Sequence, residues 1–172
     1  MTRLVFVLIF LGFAYTHYGQ DVSSNDLRRP LNNVGVNLLG DASIISFNYE
    51  RVFHQRDKIL MTGKLGIGYT EEFRWCFGFS PCGASDNYLT LPHHITGNLG
   101  KRRGLFEFGL GATLISGSHS SSYIAYPIIG YRLHPLRVKK MNFRAYINIP
   151  FTGLETSDII ISPLGINGGY SF

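Results

Sequence analysis

Two carboxylates and two cations stand in the middle of four separate alternating segments: Glu50, Lys64, Glu107 and Arg144. Such groups can act as acids, bases or anion holders in an open cleft, and as a mutually neutralising network in a closed one. Each stands on the face opposite its segment's large apolar residues, so any space they share belongs to the polar side of the chain. Cys76 and Cys82 are the only cysteines and lie close together in Trp75-Cys76-Phe77-Gly78-Phe79-Ser80-Pro81-Cys82. In an oxidising compartment an even pair this close reads as a loop disulfide, worth ~2–3 kcal/mol in the chain-entropy model. No further ligands are spaced around it for zinc. His93-His94 is no metal motif, because adjacent strand residues point to opposite faces. His119-Ser120-Ser121 places a candidate base near a candidate nucleophile in a serine-rich stretch. No glycine-rich phosphate loop or other nucleophile motif occurs, and no cofactor or metal is expected.

The elements that must hold these residues are strands, because period two dominates from Asn33 onward. In 105–114, Phe106, Phe108, Leu110, Ala112 and Leu114 alternate with Glu107, Gly109, Gly111 and Thr113. Segment 141–152 sets Phe143, Ala145, Ile147, Ile149 and Phe151 against Asn142, Arg144, Tyr146 and Asn148. Segments 43–53 and 58–70 repeat the pattern around Glu50 and Lys64. Weaker versions at 33–40, 88–99, 122–134 and 159–172 bring the expected number of strands to eight. Pro92, Pro127, Pro150 and Pro163 do not suit simple central strands and are expected near rims or bulges.

Charged residues make up 16% of the 172-residue chain, against about 25% for average soluble proteins. Disorder is excluded by the 14% aromatic content, and a coiled coil by the absence of charged heptads. Residues 1–19 read as a secretory signal peptide, with Arg3 ahead of the apolar run 4–14 and Gly19 before a polar stretch. That run is shorter than the roughly 20 residues a membrane-spanning helix needs. Residues 20–32, with Arg28, Arg29 and Pro30, read as a flexible leader. No later apolar run is long enough to span a bilayer. A membrane location would therefore require a closed β-barrel, the other fold that satisfies every backbone group in lipid.

The faces favour that reading. Opposite the large apolar residues stand Gly66, Gly68, Gly109, Gly111, Asn48, Asn148 and Asn167, together with the four charges. A narrow lumen needs small residues and paired charges, since an unpaired one costs several kcal/mol. The expected fold is all-β: an eight-stranded antiparallel up-and-down transmembrane β-barrel over 33–172, with Glu50, Lys64, Glu107 and Arg144 inside and within reach of one another. A slip of one residue would turn every side chain to the other face.

Connections sort by length and charge. With the N-terminus on the inner side, the outer connections carry Asp41, Glu71, Glu72, Asp86, Glu155 and Asp158, and only Arg74 as a cation. The inner turns carry Arg56, Lys58, Lys101, Arg102, Arg103, Arg137, Lys139 and Lys140 against Asp57. Cations gathered in tight turns suit anionic lipid headgroups, and no nucleic-acid partner is expected. The longest outer loop also carries Phe73, Trp75, Phe77 and Phe79, which would form an interfacial aromatic girdle or a binding tip for a surface ligand of unknown identity.

The chain ends Gly168-Gly169-Tyr170-Ser171-Phe172. Gly168, Tyr170 and the terminal Phe172 look like the signal read by the outer-membrane barrel assembly machinery, with Asn167 standing where that pattern has glycine. Together with Asn48-Tyr49-Glu50-Arg51-Val52-Phe53, Gly66-Ile67-Gly68-Tyr69 and Phe106-Glu107-Phe108-Gly109-Leu110-Gly111, this ending makes 33–172 resemble small outer-membrane β-barrel proteins of Bacteroidetes-type bacteria. The resemblance implies a bacterial outer-membrane location, lipid and assembly-machinery partners, and a structural or surface-interaction role without enzymatic activity or a large pore. His119 and Ser121 resemble the His-x-Ser pair of an eight-stranded outer-membrane lipid A deacylase, which makes a lipid-modifying hydrolase one alternative. A soluble lipocalin-like ligand-binding barrel is another.

Overall fold

The computed structural model describes residues 29–56, 58–71, 87–117, 121–136, 140–151 and 162–172. The signal segment, most of the leader, Phe73, Trp75, Cys76, Phe77, Phe79, Cys82 and His119 lie outside them. Eight strands follow in order: β1 (Asn32–Leu38), β2 (Ile45–Gln55), β3 (Ile59–Glu71), β4 (Asn87–Leu99), β5 (Gly104–Ser116), β6 (Ser121–Leu133), β7 (Met141–Asn148) and β8 (Leu164–Ser171). They form one closed antiparallel barrel in chain order. β8 closes on β1 with Val34 opposite Tyr170 and Val36 opposite Gly168. No helix among the described residues is long and apolar enough to cross a membrane.

Strand alternation is turned inside out relative to a soluble domain. Phe47, Ile95 and Leu110 point outward and are 62%, 60% and 63% exposed, while Asn37, Asn98 and Thr113 point inward and are fully buried. Two interior rings lie over glycines of the neighbouring strand: Tyr126 is paired with Gly111 and Tyr146 with Gly165. A Cβ on Gly111 would overlap the Tyr126 ring and come within 2.7 Å of His94 Cδ2, and one on Gly165 would overlap Tyr146.

The prolines correct two strand boundaries. β7 ends at Asn148 rather than 152, and β8 begins at Leu164 rather than 159. Pro150 and Pro163 therefore flank the strands, because proline brings no N–H to a ladder. Pro92 and Pro127 lie within strands, where the ladder yields to them. The β3–β4 register is interrupted between Leu65↔His93 and Gly68↔Thr90, and the β6–β7 register begins one residue past Pro127, at Ile128↔Asn148. A bulge in β2 between Val52 and His54 leaves Phe53 and His54 both exposed.

Overpacking the thin wall should be costly. Gly111→Val is expected to lower the stability of the barrel by about 1–3 kcal/mol, read from the shift in its urea unfolding midpoint. An unchanged midpoint would mean that Tyr126 has room to move.

Candidate functional site

Among the described residues, chemically reactive side chains converge in the interior. Three carboxylates (Asp41, Glu50, Glu107) and three cations (Lys64, Arg132, Arg144) are buried there, so the formal charges of this set cancel. Burial without partners would cost several kcal/mol per ion, and each of the six has an opposite charge in contact.

The central group is built on Glu107 of β5. Its carboxylate lies 2.6 Å from Arg144 Nε and accepts from Arg132 Nη2 at 3.0 Å. Arg132 and Arg144 are direct cross-strand neighbours, a like-charge pair that would repel if left alone. Glu107 binds both guanidiniums and removes that penalty. The Arg132 fork also engages Glu50: Nη2 donates to Oε2 at 2.8 Å, and Nη1 contacts the other oxygen. This bidentate geometry is the strong form of an ion pair.

A second group hangs from the connection between β1 and β2. Leu39, Gly40, Asp41 and Ala42 all adopt positive φ, between 50° and 64°. Only glycine visits this region freely, and each L-residue there costs roughly 1–2 kcal/mol. The result is a left-handed turn that dips into the barrel mouth, closed by Ser43 N–H donating to Gly40 C=O at 2.9 Å. Asp41 at its tip receives Lys64 Nζ at 2.6 Å on Oδ2, while His94 Nε2 lies 2.9 Å from Oδ1. Tyr146 O–H also donates to Oδ1, and Thr113 O–H donates to the Asp41 carbonyl at 2.7 Å. Burial pushes the Asp41 carboxyl up, but the opposing pull of His94 and Lys64 holds it well below the usual carboxylate range. Arg144 Nη2 lies 3.3 Å from His94 Nδ1. Because arginine can only donate, that contact assigns hydrogen to His94 Nε2, facing Asp41.

Apolar clusters pack toward both ends. Ala42, Ile115, Ile124, Tyr126, Ile128 and Tyr146 pack at the end where the left-handed turn enters. Val52, Leu60 and Leu105, with Leu31 against them, pack at the end nearer the chain termini. His134, just past β6, is buried beside the second cluster, with Nε2 3.4 Å from the Pro30 carbonyl. Burial and the positive charge of Arg132 push its pKa down to about 4.

All four charges singled out in the sequence are buried inside the barrel, but they do not pair simply with one another. Only Glu107 and Arg144 form an ion pair; Glu50 and Lys64 stand opposite each other on β2 and β3, but Glu50 is held by Arg132 and Lys64 by Asp41. Asp41, expected among the acids of the outer rim, instead lies within the lumen, carried there by backbone geometry that composition does not reveal. Arg132 does not stand out in the sequence because β6 also turns apolar residues inward: Ile124, Tyr126 and Ile128 share its parity and blur the alternation. His94 faces inward and His93 outward, where its Nε2 lies 2.8 Å from the Tyr123 hydroxyl. Gly168, Tyr170 and Phe172 are exposed along the closing strand. Ser121 opens β6, while its proposed partner His119 and the cysteine loop lie outside the described residues. Among the described residues no cluster of His, Cys, Asp or Glu could hold a metal ion.

Two outcomes follow from this geometry. Arg132→Met leaves Glu50 without its cation and should destabilise the barrel by about 3–5 kcal/mol in urea unfolding, with Glu50→Gln on the same background recovering part of the loss. His134 is neutral in the folded state down to about pH 4, whereas an unfolded histidine protonates near 6.5. Unfolded chains thus bind the extra proton between these values, so stability is full above about 6.5 and falls toward 4. His134→Asn should flatten that slope when unfolding midpoints are compared across the window.

Compared with protein-family models, with curated proteins and with solved structures, the chain matches none.

Proposed function

We propose that the protein is an integral outer-membrane β-barrel with a structural or surface-interaction role, no large pore and no reaction of its own. The observation that carries this reading is the outer wall. Every strand turns large apolar side chains outward, among them Leu38, Phe47, Ile67, Ile95, Leu110, Ile129, Ile147 and Ile166. Soluble monomers rarely expose contiguous apolar patches larger than a few hundred Å², and here the belt runs through all eight strands. Tyr69 and Tyr123 lie toward one end of the belt, Tyr131 and Tyr170 toward the other, as amphipathic rings do at membrane interfaces. Arg56, Lys58, Lys101, Arg102, Arg103 and Lys140 gather at the end carrying the chain termini, which suits anionic headgroups there.

The charge-paired interior supports the absence of a large pore. Its buried charges pair with one another between two apolar clusters, one toward each end of the barrel. A lipocalin-like barrel would need the opposite arrangement, with an apolar cavity inside and a wet exterior. Residues 1–19 are read as the cleaved export signal, and the outward Tyr170 and Phe172 of the closing strand as the feature recognised during barrel assembly.

Expression with the native leader followed by fractionation tests this directly. The protein is expected to sediment with outer membranes and to migrate faster on detergent gels before boiling than after. Full recovery in a soluble fraction without detergent would overturn the membrane reading.

A further inference from the structure

The apolar outer wall is uneven at one place. Two cross-strand rows run side by side over the seam where β8 closes on β1. One row is Leu65, Tyr49, Val34, Tyr170 and Met141; the next is Ile67, Phe47, Val36, Gly168 and Phe143. In the second row Gly168 breaks the ridge, and a Cβ built there would have no atom within 4 Å. A furrow of about 740 Å³ results, floored by the Gly35, Gly168 and Gly169 backbone and walled by Phe47, Tyr49 and Tyr170.

One end of this furrow is basic. Met141 lines it, and the preceding Lys140 is exposed with Nζ 5.4 Å from the centroid of the Tyr170 ring that forms the wall. Arg103 lies at the same end, its Nη2 donating to the Met141 carbonyl at 3.2 Å. An apolar trough ending at cations matches a molecule with a long hydrocarbon chain and an anionic head.

We propose that this furrow is a specific site for an anionic phospholipid, its acyl chain against Gly168 and its phosphate on Lys140. The proposal rests on the membrane reading and deepens it. A second copy of the chain fits less well, because a symmetric contact would set trough against trough and leave the centre unfilled. A flexible chain fills such a space without demanding shape from a partner. The cation at the mouth then selects among headgroups by charge, as basic pockets on membrane proteins do.

Native mass spectrometry of the full-length barrel, released from mild detergent after exposure to phosphatidylglycerol or phosphatidylcholine, reads the site. Wild type is expected to retain one phosphatidylglycerol per barrel and severalfold less phosphatidylcholine. Gly168→Leu should fill the trough and remove most of the bound lipid, with faster gel migration before boiling confirming that it is folded. Lys140→Gln, an exposed change outside the strands, should retain lipid but lose the preference for phosphatidylglycerol, which keeps the test decisive even if Gly168→Leu fails to fold. Unchanged lipid retention in folded Gly168→Leu, or unchanged selectivity in Lys140→Gln, would overturn the site. So would a bound mass that proves to be a second protein chain. None of these results touches the membrane reading, which fails only if the protein fractionates as soluble.

Discussion

A closed barrel this narrow cannot leave its interior charges to bulk water, and every other feature of the lumen answers to that constraint. Desolvating each ion costs several kcal/mol, a cost recovered only through close and well-aligned partners. The three buried carboxylates and three buried cations meet this requirement as a set rather than as independent pairs. Glu107 shows why: it faces two guanidiniums that would repel each other without it. The network also favours one register. Sliding β2 by one residue would turn Glu50 out into the apolar wall and leave Arg132 with one carboxylate fewer.

The same constraint accounts for the left-handed turn. Leu39, Asp41 and Ala42 hold conformations that cost roughly 1–2 kcal/mol each for residues with side chains. A connection of this length between paired strands has relaxed alternatives that would leave Asp41 in solvent. It takes the strained form because Asp41 then supplies the carboxylate that pairs with the buried Lys64 ammonium and adds an acceptor for His94 and Tyr146 beside Tyr126 and Asn37. Local strain is thus offset by electrostatics supplied from β3, β4 and β7.

Glycine serves the two faces of the wall differently. Inside, Gly111 and Gly165 leave space for the rings of Tyr126 and Tyr146, which carry hydroxyls into the network and apolar bulk into the adjoining cluster. Outside, Gly168 meets nothing, so the wall loses a ridge where the chain closes on itself. The first use is filled by the protein's own side chains. The second remains open to whatever solvates the outer surface, and the adjacent Lys140 gives that opening a preferred sign of charge.

The strand count, the antiparallel order and the face assignment were legible in the linear chain, because side chains alternate with a period of two and long segments such as 105–114 follow it strictly. The inward placement of Glu50, Lys64, Glu107 and Arg144 follows from the same parity. What linear order could not carry was the pairing. Arg132 lies on a strand whose inward face is also apolar, so parity gave no contrast. Asp41 lies in a connection, where no periodicity operates and position depends on four successive backbone angles. The furrow at Gly168 was equally hidden, since its walls come from opposite ends of the chain and meet only when β8 closes on β1. Alternation is a local property of the backbone and can be read from neighbours in sequence. Charge partners and surface relief depend on distance in space, and closure of the barrel sets that distance.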